Sequence, residues 1–201
     1  MSKDNNSFFI ICDFDDTMVD LLSAWVKWLN SQYNYNIKVD DIKDWDMTKA
    51  FVGLSQEDIC NCFTLPEFWL TVEAKPDAAT YIKKLIDEGF NFNICTATDY
   101  RIAKIKFENC LFRLFPFIDR HQIMLSYCKP KIDCDIIIDD YLKNLIDAHG
   151  IKILMDAPHN QISNNIEDFR VYSWRTIYEI IHEFANIRKK SFEDETKNEA
   201  Q

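Results

Sequence analysis

Positive charge is scarce in this chain: among 201 residues, 23 Lys and Arg face 33 Asp and Glu, a net charge of -10. That deficit opposes binding to a nucleic-acid backbone or an anionic membrane, although a local positive pocket can still hold a small anion. No apolar run approaches the length of a membrane span, and Met1-Ser2-Lys3-Asp4 shows no basic, apolar leader, so a cytoplasmic protein is expected. The seven cysteines contain no Cys-x-x-Cys pair, Cys60 and Cys62 being the only close ones, and the four histidines show no metal-ligand spacing. A zinc or redox motif is thereby disfavoured, and thiols inside apolar runs suit a reducing compartment. Internal repeats are absent.

What is present, 47% hydrophobic and 28% charged residues with 14% aromatics, describes a globular chain with one principal core and room for a small inserted domain. Its most pointed stretch is residues 8–17. Five apolar residues, Phe8 to Cys12, read as a buried strand that stops at Asp13, Asp15, Asp16 and Thr17. Carboxylates this close repel one another unless one is protonated or a hard cation neutralises them, and oxygen-only ligands favour Mg²⁺.

Apolar residues at 18, 21, 22, 25 and 29 predict an amphipathic helix over 18–34, with Trp25 and Trp28 expected to pack in a core. Residues 35–75 are aromatic-rich and irregular, with a short helix near 55–62 opened by Ser55 and Asp58, and read as a helical insertion. From Pro76 onward helices alternate with short apolar strands. Helices are expected at 77–88, 100–114, 141–149 and 174–188, and strands at 90–95, 122–126, 135–138, 151–155 and 169–173. This order predicts an α/β fold, a doubly wound parallel sheet, with a polar tail at 189–201 that is frayed or disordered.

Ligands of such sheets bind beyond the carboxyl ends of the strands. There the chain offers Asp13 and Asp15, Thr96, and Asp139 and Asp140, with Lys129 and Lys131 just before the last pair. Acidic metal ligands, a hydroxyl and an ammonium together suit a phosphoryl group. Asp13 and Asp15, two apart, can address one phosphate, one attacking while the other handles protons. A signalling receiver domain uses similar groups, but in the order acidic pair, lone Asp, Thr, Lys, which this chain does not follow.

In that order the motifs resemble those of haloacid-dehalogenase-like phosphohydrolases: Asp13-Phe14-Asp15-Asp16-Thr17, Ile94-Cys95-Thr96, Lys129, and Ile137-Ile138-Asp139-Asp140. Residues 41–46, 66–69, 153–160 and 170–174 further resemble the 5′(3′)-deoxyribonucleotidases. The resemblance implies a core of residues 1–17 and 76–188, a helical cap of residues 18–75, and Mg²⁺ held by Asp13, Asp15, Asp139 and Asp140. It makes Asp13 the nucleophile, Asp15 the general acid/base that lends its backbone carbonyl to the metal, Thr96 a phosphoryl ligand, and Lys129 the stabilising cation in preference to Lys131. Asp16 stands where the family more often has Gly, either facing solvent or altering the local backbone and charge, and Ala97-Thr98 replaces a frequent Ser-Pro. Leu21, Trp45, Phe68, Trp69 and Thr98 are the candidate substrate contacts, while His159 and Asn160 either line the rim or make a turn.

The implied function is Mg²⁺-dependent hydrolysis of nucleoside 5′-monophosphates, deoxyribonucleotides foremost, through an aspartyl-phosphate. Alternatives are another small phosphomonoester as substrate or a non-catalytic binding protein. The expected partner is a small nucleotide, with no nucleic-acid polymer and no membrane, and a homodimer is left open.

Overall fold

The computed structural model describes residues 8–162 and 166–199. The start at Met1 to Asp4 and the last two residues of the polar tail lie outside them. Strands β1 (Phe9–Cys12), β2 (Asn91–Thr96), β3 (Ile123–Leu125), β4 (Ile136–Asp139), β5 (Ile151–Met155) and β6 (Phe169–Val171) form one all-parallel sheet in the order β3-β2-β1-β4-β5-β6. The doubly wound α/β expectation therefore holds. Side chains alternate across the central strands: Ile10, Cys12, Ile136 and Ile138 enter the larger apolar cluster, and Ile11 and Ile137 a smaller one on the opposite face. That is why these runs are apolar at every position.

Strand order reverses between β1 and β4, which run side by side with Cys12 opposite Ile138. The backbone N–H of Asp13 donates to the Ile138 carbonyl at 2.8 Å, which carries the pairing one residue past the strand. The crevice at such a reversal is where open α/β sheets bind ligands.

Between β1 and β2 run α1 (Leu21–Tyr33), α2 (Gln56–Cys60), α3 (Pro66–Thr71) and α4 (Ala78–Asp87). Helix α1 starts at Leu21, not at residue 18, because Met18 to Asp20 pair with residues 73–75 instead. Val19 bridges Ala74, Asp20 N–H donates to the Glu73 carbonyl at 2.9 Å, and Lys75 N–H to the Met18 carbonyl at 2.9 Å. The helix ends at Asn34, whose positive φ of 58° closes it with a left-handed cap. As expected, Ser55 and Asp58 form a reciprocal capping box on α2.

The helix expected over 100–114 is present as one run, in which α5 (Tyr100–Lys106) widens into a π-helical turn (Phe107–Leu111) before α6 (Phe112–Leu114). Two other expectations changed. Over 141–149 there is only a 3₁₀ turn, Leu142–Asn144, because Tyr141 N–H and the Asn144 amide are drawn onto the Asp139 carboxylate. Gly150, which follows, lies where a Cβ would come within 2.4 Å of the Cys134 carbonyl. Finally α7 (Trp174–Glu199) continues through the described part of the polar tail. Among the described residues, no helix is long and apolar enough to cross a membrane.

Candidate active site

The ends of β1 and β4 bring Asp13, Asp139 and Asp140 together, with one oxygen from each within 4.8 Å of the others. All three are buried. Lys129, on the 3₁₀ turn Lys129–Lys131, reaches into the cluster and donates to Asp13 Oδ1 and, at 2.7 Å, to Asp139 Oδ2. Pro130 at the second position helps start that turn, because its fixed φ suits a helical opening. Lys131 is exposed and, unlike Lys129, lies outside the cluster.

Burial pushes the Asp13 carboxyl well above the usual range, against the pull of Lys129, and Asp139 adds to the rise. Burial and then Asp139 push Asp140 up to about 8. Burial alone would lower the Lys129 ammonium, yet Asp13 and Asp139 hold it well above the ordinary lysine range. Three buried carboxyl groups facing one ammonium leave the cluster short of positive charge. Oxygen-only donors at this spacing fit a hard divalent cation.

Thr96 ends β2 beside β1, and its hydroxyl lies 3.3 Å from that of Thr98. Between them and Asp15 sits a residue that the sequence pattern did not single out. Lys106, 1% exposed, donates to Asp15 Oδ2, to Thr98 Oγ1 at 2.8 Å and to Thr96 Oγ1 at 3.0 Å. As one of several lysines on an ordinary amphipathic helix it carried no local signal.

Above the acids opens a cavity of about 380 Å³, whose lining includes Asp13, Asp15, Lys106, Lys129, Asp139 and Asp140. Its apolar wall comes from the segment between β1 and β2: Leu21, Trp45 and Trp69, three of the candidate contacts, joined by Trp25 and Phe63. Thr98 also lines it. Phe68 does not. It is fully buried, edge-on to Trp28, Phe63 and Trp69, because α3 points it inward while its neighbour Trp69 meets the cavity. Trp25 packs in the core as expected, but also shows one edge to the cavity, its ring 4.7 Å from Phe63.

Asp16 does not face solvent. It is 1% exposed, has a φ of 53°, and its Oδ1 accepts the Leu22 N–H at 2.9 Å, so it fastens the start of α1. Burial, then Asp140, raises its pKa well above the usual carboxylate value. His159 makes a structural link rather than lining the rim. Its Nε2 lies 2.7 Å from Asp140 Oδ2 and its ring 4.5 Å from that of Trp45, and burial lowers its pKa. Asn160 donates to the carbonyls of Asp140 and Met155, holding the turn under the cluster.

The chain has relatives among known proteins. The model of the family described as 5′ nucleotidase, deoxy (Pyrimidine), cytosolic type C protein matches residues 6–191. A 5′(3′)-deoxyribonucleotidase from Clostridium acetobutylicum is 34% identical over 152 residues, covering 76% of this chain and 83% of the relative. One from Bacillus subtilis is 32% identical over 171 residues, covering 84% and 95%. In three dimensions the chain is similar to a haloacid dehalogenase-like protein from Agrobacterium tumefaciens, with a TM-score of 0.61, 15% identity, and coverage of 89% of this chain and all of that one. With the acid cluster at the sheet's reversal point and the family match over nearly the whole chain, the protein belongs to the cytosolic type C 5′-nucleotidase family of phosphoric monoester hydrolases, on the haloacid-dehalogenase-like fold.

Proposed function

We propose that the protein is a Mg²⁺-dependent phosphatase that hydrolyses deoxyribonucleoside monophosphates through an aspartyl-phosphate on Asp13. The observation that carries this reading is the Asp13 carboxylate, bonded to Lys129 in a cavity that is also lined by aromatic side chains. The names of the relatives, 5′(3′)-deoxyribonucleotidases, support the substrate class. Bound by Asp13, Asp139, Asp140 and the Asp15 carbonyl, Mg²⁺ would supply the positive charge the cluster needs and offset that of the phosphoryl group.

Asp13, ionised, attacks phosphorus, and the bond to the ester oxygen breaks with its electron pair going to that oxygen. Asp15 gives the departing oxygen a proton. The Asp15 carboxylate then takes a proton from water, whose oxygen attacks phosphorus and returns Asp13 as a free carboxylate with inorganic phosphate. Thr96 donates its hydroxyl proton to the phosphoryl group, and Lys129 keeps the nucleophile oriented and balances charge. Leu21, Trp25, Trp45, Phe63 and Trp69 form an apolar wall of the kind on which a base stacks, worth about 1–3 kcal/mol per base.

In this reading residues 18–75 act as a cap on a core of 1–17 and 76–188, with 189–201 an appended tail. The backbone pairs between 18–20 and 73–75 would be the neck joining cap to core. Phosphate release from a panel of nucleoside and sugar monophosphates, with Mg²⁺ or a chelator, tests the proposal. Turnover that persists in chelator, or in Asp13→Asn, refutes it; sugar phosphates outpacing nucleotides refute the substrate class.

A further inference from the structure

Lys106 closes α5, and its single charge is spent in an unusual way. Lysine is seldom fully buried without a partner, and each of the three N–H bonds of its ammonium has an acceptor here: Asp15 Oδ2, Thr96 Oγ1 and Thr98 Oγ1. The rings of Phe14 and Trp69, 5.2 and 5.4 Å from Nζ, cover its remaining sides. With every donor engaged by protein, Lys106 is not itself a phosphate ligand.

Two consequences bear on the reacting groups. Thr96 Oγ1 accepts from Lys106, and its own proton is directed at Asp15 Oδ2 over a long 3.5 Å, a weak bond that a phosphoryl oxygen can replace. Asp15 is gripped through Oδ2 only; Oδ1 is buried and, among the described residues, has no hydrogen-bond partner. A carboxyl group anchored by one oxygen, with the other free at a cavity wall, is built to give and take a proton from a fixed place. The anchor is set where α5 gives way to its π-helical turn, a departure that often marks a functional position.

We infer that Lys106 is a positioning residue that holds Asp15 for proton transfer to the departing ester oxygen. This rests on the phosphatase reading above and adds a group to it. Because Lys106 acts through Asp15, its removal should slow the phosphoryl-transfer step, which kcat/KM reports, only for those esters whose leaving oxygen needs a proton; hydrolysis of the aspartyl-phosphate is common to all of them. A nucleoside leaves as a poor, protonation-dependent group, whereas 2,4-dinitrophenolate leaves as a stable anion.

The experiment compares kcat/KM for a nucleoside monophosphate and for 2,4-dinitrophenyl phosphate in the wild type, Lys106→Met, Lys106→Gln, Asp15→Asn and Lys106→Met/Asp15→Asn, with folding checked by far-UV circular dichroism. Lys106→Met should lower kcat/KM for the nucleotide on the order of 10²-fold, within the range of general acid catalysis, and for the dinitrophenyl ester by less than about tenfold. Lys106→Gln, which keeps an N–H donor, should recover part of the nucleotide rate. The double variant should be no slower on the nucleotide than Asp15→Asn, since both changes disable one function. Equal losses on the two esters, or a double variant showing the product of the single losses, overturn the inference. If Lys106→Met does not fold, Lys106→Gln carries the comparison. A wild type that cleaves some other alkyl phosphate but no nucleotide refutes the substrate reading alone, and the same ratio on that alkyl ester still decides the role of Lys106. A wild type that cleaves no ester overturns both.

Discussion

Without a divalent cation the acid cluster should weaken the fold, and do so more as pH rises. Burial and Asp139 raise Asp140 to about 8, whereas an unfolded Asp releases its proton near 3.9. Between these values the folded chain holds a proton that the unfolded chain has lost, so stability falls as pH rises. For this one group the loss from pH 5 to pH 7.5 is about 3 kcal/mol. In a chain of this size that corresponds to a fall in Tm of roughly 6–12 °C. Asp13 and Asp16, also raised by burial, act in the same direction. His159 acts in the other: burial lowers its pKa, so below about pH 6.5 the unfolded chain takes up the proton first, and stability is lost toward acid. Comparison with Asp140→Asn, in which the Asp140 titration is gone, separates the two effects. Thermal melts in chelator across this range should show the wild type losing its advantage over Asp140→Asn as pH rises. Mg²⁺ at about 100 times its Kd should return about 2.7 kcal/mol, and do so at pH 7.5 with far less metal than at pH 5, where it competes with protons. Parallel pH dependence in the two proteins, or a Mg²⁺ requirement independent of pH, would refute the reasoning.

Three further outcomes follow from particular contacts. Phe68→Ala should destabilise by about 3–5 kcal/mol in urea unfolding, as buried aromatic truncations do, whereas Trp45→Ala should raise KM for a nucleotide at smaller cost; a KM effect from the conservative Phe68→Leu equal to that of Trp45→Ala would contradict the burial of Phe68. Gly150→Ala places a Cβ 2.4 Å from the Cys134 carbonyl and 2.8 Å from that of Asp135, and the backbone shift it forces should cost about 1–3 kcal/mol, read as a lower urea midpoint at unchanged m-value. Asp16→Asn keeps an acceptor for the Leu22 N–H, suits the positive φ and removes a buried charge, so it should stabilise the chelated protein by about 1 kcal/mol near pH 8. That gain should vanish as pH falls below about 3.9, where Asp16 is protonated in both states, and a variant less stable than the wild type at pH 8 would show the charge to be needed.

Much of the molecule was legible because its signals are local. An apolar run ending in Asp13-Phe14-Asp15 needs no partner to be read as a buried strand with acids at its tip, and the same holds for Ile136 to Asp140 and for Asn91 to Thr96. The Ser55–Asp58 box likewise lies within one turn. Errors came where a distant contact overrode local preference. Met18 to Asp20 have the spacing of a helix but pair with 73–75, and residues 141–149 have helical character yet fold back because Asp139 claims Tyr141 N–H and Asn144. Asp16, a charged residue in a turn, would be expected outside, but is drawn inward to hold α1.

By itself, then, the sequence determined which residues end the strands, and so the chemistry available at the rim: acids, a hydroxyl and a lysine ten positions before Asp139. Only the tertiary structure decided which of them meet. The reversal of strand order between β1 and β4 sets Asp13 beside Asp139 across more than a hundred residues, and the packing of α5 brings Lys106 to Asp15. No periodicity along a chain encodes such encounters, because they are fixed by how the sheet is wound and by where buried charges find partners.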